Sequence, residues 1–322
     1  ELEALSGQPF CRTVELPALS VEEVSGLVCE QLGREPDARL AEMMTEACDG
    51  NPLLVLEMCR LLQEGGVASP LEEESVEALL ASSRGAELPL VLVDRRVASL
   101  PPLERRVLEH LAMLRRPVQA AMLVRSCQVS EERLAEALEL LIDRGFVDRH
   151  EARGAIRYLI CHEIHMQGIR SSIRPEVARN LQKELGQTLA EDSRSQDPVR
   201  AFEVHELLAA GDEPMLAIPY GMIAMRYFAG AYAEPLAIRI GRRMLDFIGA
   251  DGDAVVRSEI LGQLARLEVE TGQPESGKLH IKMLLEDPAT DAADRIEARL
   301  FLGEIYLLMQ EPLKGIRALN RV

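Results

Sequence analysis

Apolar residues recur every three to four positions along most of the chain, in blocks that end on glycine or begin on proline. In "SVEEVSGLVCEQLG", Val21, Val24, Leu27, Val28 and Leu32 share one helical face. Ser20 and Glu23 have the spacing of a capping box, and Gly33 closes the block. "PDARLAEMMTEACDG" repeats the pattern, and so does "NPLLVLEMCRLLQEGG", with Pro52 in the first turn, where a missing N–H costs nothing. Residues 12–18, "RTVELPA", predict a short extended stretch before them. The spacing therefore predicts a bundle of three short helices over residues 18–66. Residues 67–88 are polar, acidic and rich in small side chains, and read as a linker.

A different pattern covers residues 89–174. "PPLERRVLEHLAML" predicts a helix begun by prolines, "VQAAMLVRSC" a second, and "EERLAEALELLIDRG" a third capped by Ser130. Directly after Gly145, "FVDRHEARGAIRYLI" gives two alternating stretches around an Arg-Gly turn, a β-hairpin signal. Three helices and a hairpin make the winged-helix order.

Residues 175–212 predict two further helices, after which the chain becomes periodic. Aligning "RYFAGAYAEPLAIRIGRRML", "RLEVETGQPESGKLHIKMLL" and "YLLMQEPLKGIRALNRV" places Gly230, Gly272 and Gln310 in one column. Pro235, Gly277 and Gly315 form a second, and Arg239, Ile281 and Leu319 a third, with steps of 42 and 38 residues. A helix pair with a small residue at its crossing is a stackable unit. The fold class expected is mainly α: a small helical bundle, a winged helix with its hairpin, and a repeat arm over 175–322.

Composition sharpens this. Aromatics are 3% of 322 residues and Trp is absent, which favours helices packed through aliphatic side chains. The net charge of −17 works against nucleic acid or an anionic membrane as a partner. No apolar run has the length of a membrane span. The six cysteines lie scattered without a C-x-x-C pair and read as buried thiols of a reducing cytoplasm. The chain enters in mid-helix at "ELEALSGQPF" and leaves within a repeat, so a piece of a longer protein is expected.

Candidate chemistry is sparse. No G-x-x-x-x-G-K-[ST] loop and no G-x-S-x-G elbow occurs, and no carboxylate pair stands out from the acidic background. "RYLICHEIHMQGIR" gathers Cys161, His162, Glu163 and His165, but no second cluster completes a zinc ligand set. The helix at 130–145 that would enter a DNA groove carries Glu131, Glu132, Glu136, Glu139 and Asp143 against Arg133 and Arg144, the wrong sign for phosphates. The arginine pairs at 95–96, 105–106 and 115–116 read as solvated faces or contacts to an acidic neighbour. In "CDGNPLLVLEMCRLL", Gly50 ends one helix, Asn51 caps the next and Pro52 starts it, an account that needs no function.

The order of these blocks, with "VELPALSVEEV", "GNP" and "CHE", resembles the STAND class of signal-transduction ATPases, which are AAA+-like and include large LuxR-like regulators and kinase–ATPase fusions. The resemblance implies that residues 1–17 are the tail of a nucleotide-binding core, 18–66 its helical lid and 175–322 a tetratricopeptide-like sensor arm. It implies an ATP/ADP site whose lid proline, here Pro52 beside Gly50 and Asn51, packs on adenine. His162, in a Met-His-Asp-like motif completed by Cys161 and Glu163, would contact the β-phosphate of ADP. His165 matches nothing in that motif and is expected to be structural. Walker motifs and Mg²⁺ would lie in an upstream core, this chain itself being non-catalytic and cytoplasmic. Other implied partners are a protein or small-molecule signal on the arm, and further copies in an oligomeric active state. The outputs would be transcription regulation or kinase signalling. Two other readings stay open: a winged-helix transcription factor binding DNA directly, and a non-catalytic repeat scaffold.

Overall fold

A computed structural model describes residues 14–64 and 88–320, apart from 153, 193–194 and 250–251. Most of the 67–88 linker and the first part of the 1–17 core tail lie outside the described residues. The chain divides into two compact units, Glu1–Arg174 and Pro175–Val322.

In the first unit, residues 14–20 form neither helix nor strand and lead into α1 (Val21–Leu32), α2 (Ala38–Cys48) and α3 (Pro52–Glu64). The capping box of α1 is made: Ser20 Oγ accepts from Glu23 N–H at 3.3 Å, and a Glu23 carboxylate oxygen accepts from Ser20 N–H at 2.9 Å. Asp37 caps α2 in the same sense, accepting from Leu40 N–H at 2.8 Å. The apolar stripes meet in one cluster of Val24, Val28, Leu40, Met44, Cys48, Val55, Met58 and Cys59, all fully buried. Each large side chain in it contributes roughly 1.5–3 kcal/mol.

Helix α4 (Leu88–Ala98) lies where the hydrophobic pattern predicts none. "LPLVLVDRRVA" is apolar almost without interruption at its start, so it shows no polar face to betray the helical period. The reason is that it is covered on two sides. Leu88 and Leu92 join the α1–α3 cluster, while Val93 meets Gly168 so closely that a Cβ there would lie 2.6 Å from Val93 Cγ1.

Helices α5 (Pro102–Leu114), α6 (Ala120–Cys127) and α7 (Glu131–Asp143) precede an antiparallel hairpin, β1 (Val147–Ala152) and β2 (Ala155–Ile160). Its register pairs Val147 with Ile160 and His150 with Arg157. Val118 adds a bridge to Tyr158, with both backbone hydrogen bonds at 2.8 Å. Helix α8 (Glu163–Ser172) then returns along α4.

The second unit is all helix among the described residues: α9 (Pro175–Ala190), α10 (Pro198–Ala210), α11 (Pro214–Gly230), α12 (Glu234–Ile248), α13 (Ala254–Glu270), α14 (Pro274–Glu286), α15 (Ala292–Leu308) and α16 (Pro312–Leu319). One tight turn recurs four times, with a left-handed residue at Asp212, Tyr232, Gly272 and Gln310. In each, the next residue donates its N–H to a carbonyl five residues back: Glu213 to Leu208, Ala233 to Phe228, Gln273 to Glu268 and Glu311 to Tyr306, at 2.7–3.1 Å. This is a Schellman end, and a proline follows within one or two residues to start the next helix.

These turns correct the repeat register. Tyr232, not Gly230, is equivalent to Gly272 and Gln310, and helices starting at 214, 254 and 292 step by 40 and then 38 residues. Ala237 therefore stands with Gly277 and Gly315, and Gly241 with Ile281 and Leu319; Pro235 and Arg239 do not. A tyrosine fills the left-handed position of this turn, with a glycine two residues before it, and so the true register carries no glycine there.

Candidate functional site

Asp49 and Gly50 are both left-handed, with φ of 50° and 60°, and this double turn swings the chain from α2 into α3. Gly50 accepts a hydrogen bond from Leu19 N–H at 2.9 Å. A Cβ on Gly50 would lie 2.6 Å from the Leu19 carbonyl oxygen, so only glycine fits under that segment. Asn51 Oδ1 accepts from Leu53 N–H at 3.0 Å and caps α3, and Asn51 and Pro52 are both exposed. Pro52 thus presents its ring at the open start of the helix.

His162 is the N-cap residue of α8, extended at φ −134°, and its side chain makes no capping bond. Both His162 and Glu163 are exposed. Partial burial, the charge of His165 and that of Arg60 hold the His162 imidazole below its ordinary range, while Glu57 and Asp148 pull the other way. An uncapped helix start beside an imidazole and a guanidinium suits a phosphate oxygen, whose charge would draw a proton onto His162. Cys161 is half-buried, and burial with Asp148 beside it pushes its thiol up to about 12, which removes it as a nucleophile.

Pro52 and His162 are brought to one helix but to different turns of it. Pro52 opens α3, whereas His162 packs at a centroid distance of 5.3 Å on His165, whose Nε2 stands 3.1 Å from Glu57 in the second turn of that helix.

Behind His162 lies a charge cluster that periodicity did not reveal. Arg96 is fully buried, continuing the Leu88–Leu92 stripe of α4. It pairs through Nη1 with Glu57, which is 1% exposed, and through Nη2 with Glu64 at 2.7 Å. It also donates to the Arg144 carbonyl, and its guanidinium lies 4.3 Å above the Phe146 ring. The expectation of solvated arginine faces fails here, and the acidic neighbour is α3. Glu57 also takes Arg60 at 2.9 Å and stands 3.1 Å from Nε2 of the buried His165. That pair is in ionic range without hydrogen-bond alignment, and His165 Nδ1 has no partner. Burial pushes the Glu57 carboxyl up, but His165 and Arg96 outweigh it and hold the group at about 2. The available signal was a charge on an apolar stripe, at Leu88, Leu92 and Arg96, facing Glu57 and Glu64 on a helix next to it.

Elsewhere the chemistry is thin. Among the described residues no group of three or more His, Cys, Asp or Glu is arranged to hold a metal, and no helix is long and apolar enough to cross a membrane. The cysteines at 48, 59 and 127 are buried free thiols, whereas Cys29 and Cys161 are only half-buried. Helix α7 exposes Glu131, Glu132, Glu136, Glu139 and Asp143. In the second unit a cavity of about 300 Å³ opens between α13 and α15, lined among others by Glu259, Gln263, Arg266, Asp294, Glu297 and Phe301.

No family model matches the chain, and no curated protein matches it by sequence. Its fold is similar to that of a solved structure from Pyrococcus horikoshii, a Signal Transduction ATPase with Numerous Domains (STAND) protein with a tetratricopeptide repeat sensor. The two are 16% identical with a TM-score of 0.53, over 98% of this chain and 42% of that one. At that identity the likeness is one of fold, and the chain spans less than half the length of that protein. The fold is thus STAND-like, mainly α, with an arm of tetratricopeptide-type helix pairs.

Proposed function

We propose that this chain is the lid, winged-helix and sensor-arm portion of a STAND-type switch gated by ATP and ADP. In this reading an upstream core supplies the phosphate-binding loop and Mg²⁺, and the parent protein is the ATPase. Gly50 and Asn51 set the exposed Pro52 at the start of α3, where its ring can lie against a purine. His162 offers an imidazole N–H to a diphosphate oxygen at the uncapped start of α8, with Glu163 exposed beside it. The observation that carries this reading is that Pro52 opens α3 while His162 packs on His165 beside Glu57 of the same helix, within a STAND-like fold.

The switch would work through differential binding, the diphosphate favouring the arrangement in which core, Pro52 and His162 meet. A protein or small-molecule signal on the repeat arm would favour the open arrangement, leading to oligomerisation and to a transcriptional or kinase output. The acidic outer face of α7 disfavours direct DNA binding by electrostatics. The test is ADP retention by the full-length protein. His162→Ala should weaken it at least about tenfold, in line with the loss of a charge-assisted hydrogen bond. Unchanged ADP affinity and activity would overturn the reading.

A further inference from the structure

The lid helices and the rest of the first unit are joined in two physically different ways. The first is apolar. α3 turns Val55, Met58, Cys59 and Leu62 into a cluster that also holds Leu88 and Leu92 of α4, and α4 in turn packs on α8 through Val93 and Gly168. The second is polar, and it links α3 to the first turns of α8, where the Glu57 carboxylate stands 3.1 Å from His165 Nε2.

Glu57 faces Arg96 from α4, Arg60 from its own helix and His165 from α8, with Asp148 of β1 and His162 nearby. Two of these three neighbours have other support. Arg96 keeps Glu64, through Nε at 3.2 Å and Nη2 at 2.7 Å, together with the Arg144 carbonyl and the Phe146 ring. Arg60 is partly exposed to water and lies against Gly145, where a Cβ would come within 2.6 Å of its guanidinium carbon. His165 has less support: it is fully buried, its Nδ1 has no hydrogen-bond partner among the described residues, and the Glu57 carboxylate stands 3.1 Å from its Nε2. Its ring touches Phe146 and His162, at centroid distances of 5.4 and 5.3 Å.

We propose that the Glu57 carboxylate is a latch that fastens the His162-bearing end of α8 to α3, and that its loss frees this end while the apolar core beneath stays closed. The Glu57–His165 contact joins α3 to α8 through polar atoms, so removing it leaves the aliphatic side chains shared by α3 and α4 in place. The freed turn is the one that carries His162, so the latch regulates the site of the nucleotide reading and deepens it, although its test needs no nucleotide.

The experiment is hydrogen exchange on the whole chain without ligand, comparing wild type with Glu57→Gln and His165→Phe. The two variants remove opposite sides of the pair, and phenylalanine retains the packing on Phe146, so misfolding of one leaves the other readable. In both, the amides of Met166–Gly168 should exchange at least about tenfold faster, and by a clearly larger factor than those of α1–α4. Unchanged exchange at Met166–Gly168 in the folded variants, or an equal loss throughout α1–α4, would overturn the latch. The ADP measurement on His162→Ala bears on the nucleotide reading alone, so the two can fail separately.

Discussion

Gly50 lies directly beneath Leu19: its carbonyl accepts the Leu19 amide at 2.9 Å, and an added Cβ would sit 2.6 Å from the Leu19 carbonyl oxygen. Because the obstacle is backbone on both sides of the hydrogen bond, nothing flexible can move away. Gly50→Ala should therefore cost about 2–4 kcal/mol, combining left-handed strain with overpacking. Gly33 is left-handed too, at φ 72°, but has nothing within 4 Å of its Cβ position. Gly33→Ala should cost about 1 kcal/mol. Urea denaturation of the two variants separates steric from conformational demand, and equal losses would refute the distinction.

The buried cluster makes a second prediction about stability. Arg96→Met takes from Glu57 and Glu64 the buried cation they share, and Glu57→Leu takes from Arg96 one of its two carboxylates. Either change should cost about 3–5 kcal/mol. The double variant Glu57→Leu/Arg96→Met removes both charges and should cost much less than the sum of the single changes, since Glu64 is 11% exposed and can turn to water. A double-mutant cycle by equilibrium denaturation reads the coupling, and additive losses would mean the two side chains act independently.

The same carboxylate sets a pH dependence. Its folded-state pKa of about 2 is depressed below the ordinary 4.5, so the unfolded chain takes up its proton at the higher pH. The contribution of Glu57 is thus complete above about 4.5 and is lost as pH falls from there towards about 2. Wild type should lose more stability than Glu57→Gln between pH of about 6 and about 3. Parallel stability curves for the two proteins would show that Glu57 is not held down in the fold.

How far the sequence revealed these features depended on whether a residue's partner was local. The Ser20–Glu23 capping box, Asn51 on α3 and the turn of the hairpin after Gly145 rest on residues within a few positions and could be read directly, whereas the helix pairs of the arm could be read only as a period, with the first repeat two residues out of register. Helix α4 could not, because Leu88, Leu92 and Val93 face two different neighbours and leave no polar side to mark a period. The Glu57–Arg96–His165 cluster was hidden for a related reason. Its members are 39 and 69 residues apart along the chain, and each alone looks like a surface charge or a stray histidine. The place of His162 beside α3 could not be read either, since that depends on how α8 returns along α4.

The arm offers a test in which stability should rise. Of the four equivalent left-handed turn residues, only Gly272 escapes the Cβ penalty, and Tyr232 bears it with a side chain 94% exposed. A tyrosine so open to solvent gains little from packing, while its φ of 58° costs roughly 1–2 kcal/mol relative to a residue without Cβ. Glycine at this position keeps the Ala233-to-Phe228 hydrogen bond that closes the turn, since that bond is made by backbone alone. The gain is partly offset by the greater freedom of glycine in the unfolded chain. Tyr232→Gly should therefore stabilise the second unit by about 0.5–1 kcal/mol. Tyr232→Ala keeps a Cβ and should not stabilise it. Thermal or urea unfolding of both variants decides the matter: a loss of stability in Tyr232→Gly would mean that the exposed ring makes a contact worth more than the strain it imposes.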